Sequence, residues 1–163
     1  MPDTEKTRRP AAQWLGLAAW LGITFVAAAI GSRFMPGEWY AQLEKPSFNP
    51  PSAVFGPVWT VLYVLMGVAA WLVWKRHGFA GARLALSLYL LQLVLNAAWS
   101  WLFFGRHAIG LALIDIVVLW VLIAITLIQF WRHRPAAGLL LVPYLLWVSF
   151  ATALNYAFLR LNP

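Results

Sequence analysis

The sequence predicts an all-α polytopic membrane protein, a bundle of five transmembrane helices with a long proline-rich loop between helices 1 and 2. Three observations carry that prediction. The 163 residues are 63% hydrophobic and only 10% charged, whereas a water-soluble domain is about half apolar and about a quarter charged. So few charges could not cover a surface facing water. Five apolar runs follow one another, Ala11 to Ile30, Ala53 to Trp74, Leu84 to Phe104, Ala108 to Trp131 and Ala136 to Leu159, each long enough to cross about 30 Å of hydrocarbon at about 1.5 Å per residue. The last four are joined by short separators that make neighbouring helices antiparallel. Barrel strands alternate over about ten residues; these runs are apolar on every side for twice that length, so a strand reading fails.

Taken in order, residues 1–10 are a polar tail carrying Lys6, Arg8 and Arg9. The first run competes with a signal peptide, because a basic stretch precedes it and Ala27-Ala28-Ala29 resembles a cleavage site. The run is longer than a usual signal core, so a retained helix is expected. The stretch from Gly37 to Trp59 is the one long segment that is not mostly apolar. It holds Pro46, Pro50, Pro51 and Pro57, with Pro36 just before it. Each proline fixes φ and removes an amide donor, so the segment suits a rigid lid over one end of a bundle. A plain connector is the alternative, but loops of this length are uncommon unless functional. The remaining separators are Lys75-Arg76-His77-Gly78, Arg106-His107 and Arg132-His133-Arg134-Pro135. The expected helices cover 11–34, 53–74, 82–104, 108–131 and 136–160 within one transmembrane domain, 11–163.

Lysine and arginine orient the bundle. Lys6, Arg8, Arg9, Lys75, Arg76, Arg83, Arg132 and Arg134 lie on the side of the N-terminus; Arg33, Lys45, Arg106 and Arg160 lie on the other. The N-terminus is therefore expected in the cytoplasm of a bacterial inner membrane, with the loop and C-terminus outside. Trp14, Trp74, Trp131 and Tyr40 sit near helix ends, as an aromatic belt requires. The net charge of +7 is spread over these flanks, where it meets anionic lipid, so nucleic acid is not an expected partner. There is no cysteine, and His77, His107 and His133 all lie in separators, so no metal site is expected. No phosphate-binding glycine loop or Ser-His-Asp set is present.

Two helix faces stand out. Gln92, Asn96, Trp99 and Phe103 are spaced four, three and four, which puts them on one side of helix 3. Intramembrane amides either face a cavity or bond a neighbouring helix, and spacing leaves both readings open. On helix 5, Trp147, Ala151 and Asn155 share a face with Tyr144 and Phe158 near it, Pro143 is expected to kink the helix, and small Ala151 could leave room for a ligand. On helix 2, Trp59, Tyr63 and Met66 form a stripe that reads first as core. Asp115 is the lone acid within a span. It is read as a structural staple to an amide such as Asn155 rather than as a proton relay, which needs several ionisable groups. Gly78, Gly81, Ala82 and Ala85 are small residues suited to close helix approach, either between two copies or within one.

Many short pieces, in order, resemble the TspO/translocator-protein family of tryptophan-rich sensory proteins: Gly31-Ser32-Arg33-Phe34, Trp39-Tyr40, Lys45-Pro46-Ser47, Asn49-Pro50-Pro51, Gly56-Pro57-Val58-Trp59, Gln92 to Asn96, Phe103-Phe104-Gly105, Ala112 to Asp115, Pro143-Tyr144-Leu145 with Trp147, and Leu154-Asn155-Tyr156. The resemblance runs from about Gly31 to Arg160. It implies a five-helix receptor or sensor, commonly a homodimer, that binds porphyrins, sterols or similar flat apolar molecules beneath the first loop. No resident cofactor is implied; protoporphyrin IX or haem is the expected ligand, and membrane lipid the other partner. By position, the pocket would include Trp59, Tyr63, Asn96, Trp99, Phe103, Trp147 and Ala151. The lid would carry Trp39, Tyr40, Pro46, Phe48, Asn49, Pro50 and Pro51. The family's sterol pattern falls on Leu154, Tyr156 and Arg160. Some relatives are reported to degrade protoporphyrin IX in light, which would make Trp59 and Trp147 catalytic; a tetrapyrrole or lipid transporter is a further alternative, although one buried acid and no evident inverted repeat speak against alternating access. The chain departs from the family at Phe48 and Ala53, where tryptophan is common, and at Leu111, where some members place a tryptophan in the pocket wall.

Overall fold

The computed structural model describes residues 10–163; residues 1–9 of the polar tail, with Lys6, Arg8 and Arg9, lie outside the described residues. The spanning helices are α1 (Pro10–Gly31), α3 (Ser52–Gly81), α4 (Arg83–Ser100, continued by a π-helical turn, Trp101–Gly105), α5 (Ile109–His133) and α6 (Pro135–Leu161). A five-residue helix, α2 (Glu38–Gln42), lies in the loop and was not foreseen. Every span is apolar on its inner and outer sides alike, and no strand occurs among the described residues.

Several boundaries differ from expectation, for physical reasons. Helix α3 continues through Lys75, Arg76 and His77 instead of stopping at Trp74, since basic residues outside the hydrocarbon have no reason to leave a helix. It breaks at Gly78, whose φ of 67° only glycine adopts without a Cβ clash. Helix α6 runs unbroken through Pro143. The turn after α4 ends at His107, a non-glycine residue with φ 55°.

The spans close into a ring in the order α1, α3, α6, α5, α4, and back to α1. At the end away from the loop the ring is filled. Met66, Ala69, Ala70, Val73, Ala82, Ala85, Tyr89, Phe130, Ala137 and Leu141 are all buried there. Gly78, Ala82 and Ala85 thus pack inside the monomer and Gly81 alone of that set is exposed. The small-residue stripe therefore serves the approach of α4 to its own neighbours, and the surface it offers to a second copy is slight.

The first span is an integral wall of this ring. Thr24 Oγ1 donates to Trp20 O at 2.7 Å and pairs with the Tyr89 hydroxyl at 2.6 Å, and Trp71 Nε1 donates to Gln13 O at 2.9 Å. Lipid tails are as apolar as leucine, so close packing rather than hydrophobicity holds such helices together. Gly67 shows how close it is: a Cβ there would lie 2.7 Å from Leu21 Cδ2 and 3.2 Å from Leu21 Cα. Gly67→Val is expected to separate α1 from α3 at a cost of about 1–3 kcal/mol, read as a lower unfolding temperature in detergent with the helical content retained.

Candidate ligand-binding site

At the loop end the ring does not fill. A cavity of about 580 Å³ lies between all five spans, from Ala28 and Gly31 on α1 to Phe158 on α6. Its size falls in the range of small-molecule sites, about 300–1,000 Å³. Aromatic rings form its wall. Trp99 stacks on Phe103 with centroids 5.1 Å apart, Trp59 stacks on Tyr63 at 5.4 Å, and Phe55 meets Trp147 edge-on at 5.9 Å.

Each residue of the predicted pocket, Trp59, Tyr63, Asn96, Trp99, Phe103, Trp147 and Ala151, borders this space. The faces of α4 and α6 meet there because a polar network binds them. The Tyr63 hydroxyl on α3 donates to Asn96 Oδ1 on α4 at 2.7 Å. Asn96 Nδ2 donates to the Tyr144 hydroxyl on α6 at 2.9 Å, and that hydroxyl donates back to Gln92 Oε1 on α4 at 2.8 Å. Gln92 is thus part of the frame and not of the wall; its Nε2 is buried without a partner among the described residues. On the other side of the cavity Trp99 Nε1 donates to Asn155 Oδ1 at 2.9 Å, and Asn155 Nδ2 donates to Ile109 O at 3.1 Å.

These bonds correct the reading of Asp115. Asn155 is engaged by Trp99 and Ile109, and Asp115 Oδ2 is buried with no partner among the described residues. The carboxylate is one turn from the inward residues Ala112 and Leu119 but on the edge of that face, half-buried, so it does not reach the amide. Leu111 is likewise not in the wall; it is 57% exposed on the outer face of α5. The sterol pattern divides. Leu154 is buried and borders the cavity, whereas Tyr156 and Arg160 face outward, with Arg160 Nη1 3.4 Å from the Tyr156 hydroxyl. Spacing accounts for this: residues two apart on a helix point about 200° from each other.

The lid covers the cavity with its first part only. Met35, Pro36 and Tyr40 border the space, and the tip does not. Tyr40 wedges between Phe104 and Phe158, at 5.5 and 5.6 Å. Burial raises its phenol above the ordinary tyrosine value, and the contact with Asn49 Oδ1 at 3.4 Å partly offsets this, so it stays neutral at physiological pH. Trp39 lies flat on His107, 4.2 Å apart and 10° from parallel, which supports the left-handed backbone of His107. Pro46 is buried, Asn49 and Pro50 are half-buried, Pro51 and Ala53 are exposed, and Phe48 meets Phe150 edge-on at 6.2 Å.

Sequence reasoning passed over Phe34, Phe55, Phe104, Ile116, Leu119 and Val148, which also border the cavity. Phe104 was hidden by the π turn, in which Arg106 N bonds Trp101 O at 2.8 Å. At this wide turn adjacent Phe103 and Phe104 both border the cavity, whereas i, i+3 and i+4 spacing points to Phe103 alone; Phe103-Phe104-Gly105 at a helix end was its only signal.

Five antiparallel spans around an aromatic cavity, closed by a structured extramembrane loop, define a polytopic membrane protein built around an internal apolar chamber. Comparison with known proteins narrows this. The chain belongs to the TspO/MBR family, which matches residues 14–161. It is 44% identical over 158 residues to the tryptophan-rich protein TspO of Chlorobaculum tepidum, covering 93% of this chain and 98% of that one. It is 46% identical over 138 residues to the human translocator protein, 82% of each chain, and 41% identical over 147 residues to the tryptophan-rich sensory protein of Cereibacter sphaeroides, covering 87% and 91%.

The Tyr144 hydroxyl is the hub on which the wall depends. Tyr144→Phe would leave Asn96 Nδ2 and Gln92 Oε1 without that partner, and each orphaned buried group costs about 1–3 kcal/mol. A lower unfolding temperature in detergent is the expected outcome, larger than for Tyr156→Phe on the outer face.

Proposed function

We propose that this membrane protein is a receptor or sensor for tetrapyrroles and similar flat apolar molecules, which it holds in the aromatic cavity beneath the loop. The observation that carries the proposal is the wall itself: Trp59, Trp99, Phe103 and Trp147 surround one space of adequate volume. Flat rings stack on indoles, and each such contact contributes about 0.5–1.5 kcal/mol beyond area burial. Most amides near the cavity bond other protein groups. The indole N–H groups of Trp59 and Trp147 have no acceptor among the described residues, so they remain free for a carboxylate or carbonyl on the ligand. The loop would set residence time by covering the end that faces outward, with the N-terminus in the cytoplasm of a bacterial inner membrane.

Titration with protoporphyrin IX, followed by quenching of tryptophan fluorescence, tests the proposal. Wild-type protein is expected to quench at micromolar porphyrin, and Trp147→Ala to bind about tenfold more weakly. Absence of quenching would count against the receptor reading. Tyr156→Phe with Arg160→Ala is expected to leave porphyrin affinity within about twofold, since both residues face away from the cavity; a sterol-like ligand on the outer face would respond to that pair instead.

A second reading, light-dependent porphyrin oxidation, is favoured by one arrangement. Trp59 stacks on Tyr63 and lies edge-on to Tyr144 at 6.3 Å, so an indole radical formed by an excited porphyrin would adjoin two phenols, with dioxygen as the final oxidant. Trp59→Phe with Trp147→Phe should abolish loss of the porphyrin absorbance under illumination. Degradation at the wild-type rate would exclude this chemistry and leave binding untouched.

A further inference from the structure

The wall of the cavity is held by bonds between spans, but the lid needs a fastening of its own. The structure supplies one 118 positions away in sequence. Asn162, at the C-terminal end of α6, turns its carboxamide onto the backbone of Glu44, the second residue after α2. Glu44 N donates to Asn162 Oδ1 at 2.9 Å, and Asn162 Nδ2 donates to Glu44 O at 3.0 Å. The same Nδ2 reaches Phe158 O at 3.0 Å, and Asn162 N also donates to Phe158 O at 3.0 Å. One side chain therefore pairs with both backbone polar groups of one lid residue while anchored to the helix that carries Phe158 of the cavity.

We infer that Asn162 is a positioning residue, a latch that holds α2 and Tyr40 over the cavity and so governs how fast a bound molecule leaves. The inference rests on the proposal that the cavity takes porphyrin-like ligands. Its geometry is selective. A carboxamide accepts from a backbone N–H through its oxygen and donates to a backbone C=O through its nitrogen at the same time; aspartate would lose the second bond and alanine both. The latch acts on the covering part of the lid, because Leu43, just before the clasped residue, packs against the buried cluster that contains Phe103 and Phe158. Beyond Glu44 the lid tip has looser holds: Phe48 is half exposed, and the Lys45 ammonium stays within its own loop, at Ala41 O (3.2 Å), Leu43 O (3.4 Å) and over the Tyr40 ring (5.2 Å). The clasp borders water, so it tunes a rate without being needed for the fold.

The test compares wild type with Asn162→Ala in two measurements. Stopped-flow release of protoporphyrin IX is expected to be about tenfold faster in the variant, the effect of losing two neutral hydrogen bonds from the closed state. Hydrogen exchange, which needs no ligand, is expected to show lost protection at residues 39–44. Asn162→Gln should recover part of both and Asn162→Asp little. Release within about twofold of wild type, or unchanged protection, would overturn the latch. A wild-type protein that binds no porphyrin would overturn the receptor reading, and exchange would still decide the latch. Should Asn162→Ala fold poorly, Glu44→Cys with Asn162→Cys, joined by a short bismaleimide in this cysteine-free chain, serves instead. Release at least about tenfold slower than from the unjoined pair supports the latch; equal rates overturn it.

Discussion

Within a bilayer no water is available to a polar group, and the rest of this structure depends on how the Tyr144 hydroxyl meets that constraint. It joins two amides of α4, one of which also accepts the Tyr63 hydroxyl of α3. A single interhelical bond in a membrane is worth only about 0.6 kcal/mol on average. The weight of the network lies in its alternatives, because sliding α6 by one residue would strand several groups at once, each at about 1–3 kcal/mol. The network thus sets the register of three helices. That register places Trp59, Trp99 and Trp147 around a common space.

The cavity exists because the two ends of the ring are built from different residues. Toward the end away from the loop, alanine and glycine let the helices close: Ala69, Ala70, Ala82 and Ala85 are fully or almost fully buried. Toward the loop, large rings prop the helices apart, and the π turn widens α4 where Phe103 and Phe104 enter the wall. A π turn sacrifices regular hydrogen bonding and is often found at functional sites. Here it is followed by His107 in a left-handed conformation, which a side chain rarely adopts. The flat contact of His107 with Trp39 ties that local strain to the lid.

Much of this was legible in the sequence, and the reason is the same constraint. Polar residues inside a span must face inward, so Asn96 and Asn155 marked two walls, and helical spacing then brought Trp99, Phe103 and Trp147 with them. Where only apolar residues were available, inward and outward could not be told apart. Helix α5 buries Ala112, Ile116, Leu119 and Ile123 while exposing Leu111, Ile114, Val117 and Val118, and the two sets are chemically alike. Lipid rewards neither arrangement. That is why Ile116 and Leu119 were missed and Leu111 was misplaced. Asp115 misled for a different reason: polarity requires a partner or a wet surface but does not say which, and the nearest plausible amide was already engaged.

The lid shows where variation in the loop can reach the cavity wall. Phe48, near the loop tip, and Ala53, in the first turn of α3, both lie outside the cavity. Ala53 is exposed and does not border the cavity. Phe48 is different, because it rests against Phe150, which packs on Trp147 at 5.4 Å. A larger ring at position 48 would press on the wall through Phe150, whereas a change at position 53 would act only on the path of the chain. Most of the cavity wall is therefore supplied by the helix faces, and the loop covers one end of it. The loop thus meets the wall at two places, through Tyr40 against Phe103, Phe104 and Phe158 and from Phe48 through Phe150 to the Trp147 indole.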